Sequence, residues 1–182
     1  SDQLRALTGD QLRALTNAQV AALTSDQFDA LDTAQLSAFS TRQVAAIETA
    51  DLASLSTDKI AALTSAQTAS LTSAQLRSLT NGQVAAIETN DLAGLKRSQW
   101  DAFSTGQIQA LSTDQISSLK RAQVTLLSTT AVSALTTDQI AAMNASRLQS
   151  LTSQQLAALT TDQLNALTTH QLVSLRPAQV PD

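Results

Sequence analysis

Two stretches decide how this chain is read: Thr136-Thr-Asp-Gln-Ile-Ala-Ala-Met143 and Thr160-Thr-Asp-Gln-Leu-Asn-Ala-Leu167. They are copies of one eight-residue unit, and that unit runs without a slip from Ser1 to Asp182. Let Gln3 define position 3. Position 7 is then Leu7, Leu15, Leu23, Leu31, Phe39, Ile47 and so on to Leu175, all 22 members large and apolar. Position 4 runs from Leu4 to Val180, with Thr68 its only polar member. Position 3 is Gln in 18 of 23 octads, and Asp51, Asp91 and Ala131 replace it at intervals of 40 residues. Up to Ser174, position 6 is Ala, Ser or Gly except at Leu126, and position 8 is mostly Thr or Ser. A fixed short period marks an array of small units that bury their apolar faces against one another.

The octad composition selects a helix. Strand arrays favour β-branched residues alternating in and out, whereas the Gln-Leu-Ala-Ala-Leu core is built of good helix formers. One continuous helix fails, because eight residues turn through about 800° and the apolar patch drifts by about 80° per repeat. The Thr/Ser pairs also interrupt the pattern at every unit. The expectation is one very short, two-turn helix per octad, with a corner between octads.

The corner carries its own chemistry. Thr8-x-x-Gln11, Thr136-x-x-Gln139 and Thr160-x-x-Gln163 match the capping box, in which the hydroxyl accepts from the N3 amide and the Gln reaches back to the N-cap amide. Pro177 then falls at N1, where proline is tolerated. Asp10, Asp26, Asp58, Asp114, Asp138 and Asp162 fall at N2, where an acid complements the helix dipole. No Gly follows position 7, so the chain is expected to turn through extended residues rather than a left-handed cap. Isolated helices this short are unstable in water, so each must lean on its neighbours as in a solenoid.

Rods of roughly 10 Å packed 8–10 Å apart close into a triangle or square that Leu, Val and Ile can fill. Three to four octads per superhelical turn are therefore expected, in a right-handed coil by analogy with most α-solenoids. Arg5 and Asp29, like Arg77 and Asp101, are 24 residues apart and would stack if three octads make a turn. Val-Ala-Ala-Ile-Glu-Thr recurs at 44–49 and 84–89, which reads as duplication of five-octad blocks. With three octads per turn the rod would be on the order of 70 Å long, and with four nearer 55 Å. The whole of 1–182 is thus one all-α octapeptide-repeat solenoid. It is expected to come from a longer array that continued beyond Ser1, with 176–182 and its two prolines a candidate terminus.

Composition narrows the function. The chain has 182 residues, a net charge of −4, no Cys, one His, no Tyr and four aromatics. That leaves no thiolate metal site and argues against haem, a His-based metal centre, a His-dependent triad or a base-stacking platform. With 11 Lys and Arg in an acidic chain, nucleic acid is not an expected partner. No apolar run reaches membrane-spanning length, so membrane insertion is not expected. Phosphate loops and hydrolase signatures are missing too, and no cofactor, metal or catalytic residue is expected.

The remaining candidates are few. Lys96-Arg97 and Lys120-Arg121 repeat at a spacing of 24, so three octads per turn would gather Lys96, Arg97, Lys120 and Arg121 into one basic spot for an anionic glycan or lipid. The plainer reading is two solvated corners. His170 shares the exposed N2 position, Asn144-Ala-Ser146 is a formal glycosylation sequon, and Trp100 and Phe103 hold core positions 4 and 7.

The pattern Leu-Thr-x-x-Gln-(Leu/Ile/Val)-x-Ala-Leu resembles the short Thr/Gln/Ala/Leu tandem repeats of large bacterial surface or secreted proteins. That resemblance covers the whole chain and implies an extracellular repeat region without a catalytic residue to carry over. A second resemblance, to the first-helix segment of TAL-effector-like repeats, spans one octad and lacks the second helix and base-reading loop. The expected function is a non-enzymatic stalk, spacer or scaffold within a large exported bacterial protein, secreted or at the cell surface. The alternative is an adhesin-like module whose Thr/Ser/Asn/Gln surface recognises a glycan or protein. Open apolar ends also predict end-to-end self-association.

Overall fold

The computed structural model describes residues 2–176 and 179. Of the candidate terminus 176–182, Arg176 and Gln179 are among them, and Pro177 and Val180 lie outside. Among the described residues there are 21 α-helices of four to six residues, one four-residue 3-10 turn at Asp91–Gly94, and no strand. The fold is an all-helical repeat solenoid with one helical element per octad.

The helices are shorter than two turns because position 7 leaves the helical region. Leu31 has φ −72° and ψ 142°, and the N-cap Asp32 after it has φ −81° and ψ 173°. Two consecutive extended residues make the corner. The last turn tightens ahead of it, with position 7 donating back to position 4, as Leu31 N does to the Phe28 carbonyl at 3.2 Å. No described residue has positive φ, so the corner needs no glycine.

The chain groups into two compact units, Ser1–Leu95 and Lys96–Asp182. In the first, helix Gly9–Arg13 packs on Thr33–Ala38, Asn17–Ala21 on Thr41–Ala45, and Thr57–Ala61 on Asn81–Ala86. In the second, Thr105–Ala110 packs on Thr129–Ala134 and Thr113–Ser118 on Thr137–Ala142. Each helix thus meets the one three octads later, and within each unit a turn holds three octads, not four.

Positions 4 and 7 fill the interior of both units. Leu12, Val20, Phe28, Leu36, Val44 and Leu52 are fully buried in the first, and Val124, Val132, Ile140 and Leu148 in the second. Each large side chain so buried contributes roughly 1.5–3 kcal/mol. Thr68 shares that core at 1% exposure. Position 6 stays small because the preceding turn presses on it: a Cβ added to Gly94 would stand 3.1 Å from the Ala69 Cβ, and one added to Gly9 3.0 Å from the Cβ of Ala38. The core pattern lapses where no further described turn covers it, and Leu164 and Leu172 are 43% and 48% exposed.

Candidate functional site

Every helix end leaves backbone groups without helical partners, and here the corners bring such ends into close-packed layers. Position 3 resolves most of them. Thr80 N donates to Gln83 Oε1 at 2.8 Å, and Gln83 N donates to Thr80 Oγ1 at 3.1 Å, which completes the expected capping box. The other end of the same amide does more. Gln83 Nε2 donates to the carbonyls of Leu52 at 3.0 Å, Ala53 at 3.2 Å and Leu55 at 2.8 Å. Those carbonyls end the helix four octads earlier, in the corner below. Gln35, Gln43, Gln67, Gln139, Gln163 and Gln171 repeat the arrangement, and each is at most 8% exposed. One buried carboxamide therefore closes the N-terminus of its own helix and the C-terminus of another.

The carbonyl of position 6 is served from the other direction. Arg5 Nε donates to Ala30 O, Arg13 Nε to Ala38 O, Ser37 Oγ to Ala62 O and Gln149 Nε2 to Ser174 O. Position 5 thus reaches position 6 of the octad three units on.

Where Gln is replaced, the chemistry divides. Lys59 keeps the donor half: its Nζ meets Phe28 O at 3.3 Å, Asp29 O at 2.5 Å and Asp29 Oδ1 at 2.9 Å. The hydrogen bond and then the charge of Lys59 hold the Asp29 carboxyl below its ordinary value, with a smaller push from Arg5 and an opposing one from burial. Arg147 likewise donates from Nε to Leu119 O at 2.6 Å. Asp51 and Asp91 cannot donate to carbonyls, and each instead accepts from a serine below, Ser25 and Ser65. Ala131 does neither.

The sequence-predicted residues fall as follows. Lys96, Arg97, Lys120 and Arg121 are all exposed in the second unit. Arg97 reaches the C-terminal end of the helix three octads on, donating to Thr125 O at 2.8 Å and Leu126 O at 3.1 Å. Arg121 Nε donates to Ser146 Oγ at 2.7 Å. Arg121 also borders a shallow depression of about 430 Å³ with Gln149, Ser153 and Arg176. Lys96 and Lys120 stand at N-caps without a side-chain acceptor, so only the Gln half of the box forms there.

His170 and the six Asp of position 2 are exposed in first helical turns. Asn144 caps its helix by accepting from Arg147 N at 3.0 Å. Trp100 and Phe103 are in the core, with ring centroids 5.5 Å apart. Trp100 Nε1 is the one buried side-chain nitrogen or oxygen among the described residues without a hydrogen-bond partner. No group of His, Cys, Asp or Glu among them could hold a metal, and none of the described helices is long and apolar enough to cross a membrane.

Sequence reasoning missed the donor role of position 3. The signal was present in the replacements, since Lys59 and Arg147 keep a donor and each Asp comes with a serine 26 residues earlier. A search of curated proteins returned no match. The family model described as the ALTTAQ repeat matches residues 1–33, 44–81, 84–121 and 146–177, more than half of the sequence. Its name spells the Ala-Leu-Thr-x-x-Gln run from one core position through the corner to the bridging glutamine, and the chain belongs to the ALTTAQ repeat family.

Proposed function

We propose that this chain is a non-enzymatic spacer or stalk within a larger exported bacterial protein. The observation that carries this reading is the use made of the invariant positions. The Gln of most octads and the apolar pairs hold one turn to the next, the position-8 hydroxyls cap their own helices, and a spacer needs nothing else from its repeat. Links confined to neighbouring turns suit a compliant element, because stability is then a sum of local terms. Force spectroscopy on a tethered copy tests it. Release turn by turn should lengthen the chain by roughly 70–80 Å for each 24-residue turn. One rupture of the whole array without steps or plateau would refute the compliant spacer.

The ends fit association of copies head to tail. Gln11, Gln19 and Gln27 close their capping boxes through Oε1, while their Nε2 groups donate no hydrogen bond, and Leu164 and Leu172 are exposed at the opposite end. Sedimentation should show concentration-dependent oligomers, and a strict monomer at high concentration would exclude this.

A second reading, an anion-binding face, is favoured by one observation. Lys96 and Lys120 give up the N-cap acceptor that most octads keep, and local rules are broken most often at functional sites. Binding of heparin, weakened by salt and by the double variant Lys96→Thr/Lys120→Thr, would support it; no retention on a heparin column at low salt would remove it.

A further inference from the structure

Ala131 stands where 18 octads place the bridging Gln. By register its side chain would serve the carbonyls of Trp100, Asp101 and Phe103, which lie 31, 30 and 28 residues earlier, the offsets at which Gln139 meets Ile108, Gln109 and Leu111. An Ala cannot reach them. Among the described residues none donates to the carbonyls of Asp101 and Phe103, and a cleft of about 490 Å³ opens there, walled by Trp100, Phe103, Ile108 and Ala134. Asp101, at its edge, is the only charged residue lining it.

The chain already contains the filled version of this site. Lys59 occupies position 3, and its ammonium is held by two main-chain carbonyls and a carboxylate, those of Phe28 and Asp29. Phe28 and Asp29 precede Lys59 by 31 and 30 residues, as Trp100 and Asp101 precede Ala131. An aromatic at position 4 and an Asp at position 5 recur in both places. The cleft therefore presents the acceptor set of the Lys59 ammonium with the lysine removed. We propose that the cleft beside Ala131 binds a primary alkylammonium group, with its charge on Asp101 and the adjacent carbonyls and its alkyl stem against Trp100 and Phe103. A half-open site of this kind favours a cation, because orphan carbonyls and a carboxylate both repel anions, and an aromatic wall adds cation–π attraction.

Trp100 is the single tryptophan, so its fluorescence reports on the cleft directly. The intact chain is titrated with n-butylammonium chloride at constant ionic strength, with sodium chloride and n-butanol as controls. A saturable change with the ammonium alone is expected, and Asp101→Asn should weaken it about tenfold. Ala131→Lys should abolish the response by placing a tethered ammonium in the cleft. Ala131→Gln should do the same with the residue that the other octads use. Nα-acetyl-lysine amide binding more tightly than n-butylammonium would identify a peptide lysine as the source, and the reverse order a free amine. A response that is matched by sodium chloride, indifferent to Asp101→Asn, or preserved in both Ala131 variants would overturn the proposal.

Discussion

A glutamine side chain ends in one acceptor and one donor, and this fold uses both. Glutamate supplies the acceptor half of a capping box equally well, yet it has nothing to offer a carbonyl. That asymmetry explains why position 3 is Gln, and why its substitutes at 59 and 147 are cations rather than Glu. The acceptor half was legible from the Thr-x-x-Gln spacing. The donor half was not, because it depends on which carbonyls lie in the corner below, and so on the number of octads per turn. Two predictions belong to single residues. Thr68 lies in the core, the one hydroxyl at a position that every other octad fills with an apolar side chain. Thr68→Val should therefore stabilise the protein by about 1 kcal/mol in urea denaturation, and a loss would contradict this account of the site. Asp29 is three-quarters exposed, so water screens its pairing with Lys59, whose side chain is 11% exposed. Its carboxyl is lowered in the folded state, so the pair stabilises above the unfolded value of about 3.9 and the benefit is lost as pH falls through the lower folded value. The Tm advantage of the native chain over Asp29→Asn should hold at pH 7 and shrink below about pH 4. A difference independent of pH would remove the ion pair from the explanation.

The octad helices are too short to survive alone, so their ends matter as much as their middles. Ser or Thr at position 8 gives most of the helices an acceptor for the N3 amide, and removing such a cap typically costs about 1 kcal/mol. The helix, its cap and the buried positions 4 and 7 could all be read from the repeat. Its length could not, since the extended dihedrals of position 7 follow from the corner and not from residue preference. The capless helices at Arg97–Trp100 and Arg121–Val124 are four residues long, against six for Thr105–Ala110 and Thr113–Ser118. Lys96→Thr or Lys120→Thr should each stabilise by about 0.5–1 kcal/mol, measured by urea denaturation. An unchanged midpoint in both would show that the N3 amide is satisfied by water at no cost. The 24-residue spacing of Lys96-Arg97 and Lys120-Arg121 could be read from the sequence, but not that Arg97 and Arg121 each serve a neighbouring turn.

At the scale of the whole molecule, each turn within a unit is joined to the next by buried side chains, by position 3 reaching back and by position 5 reaching forward. Hydrogen exchange should grade accordingly. Amides at 41–71, with turns on both sides in the first unit, should be protected far more than those at 161–175, where Leu164 and Leu172 are exposed. Uniform protection would contradict turn-by-turn coupling. The central claim is that the carboxamide of position 3 carries this coupling through its donor half. It is tested by one substitution made in two places. In Gln83 the Nε2 group serves three carbonyls, while in Gln11 only Oε1 is used, accepting from Thr8 N. The measurement is the change in unfolding free energy on Gln83→Glu and on Gln11→Glu, by urea denaturation at pH 7. Gln83→Glu should destabilise by about 2–3 kcal/mol, since it loses the bonds and sets a carboxylate against carbonyls. Gln11→Glu, still able to cap its helix, should change stability by less than about 0.5 kcal/mol. Equal effects at the two sites would contradict the account.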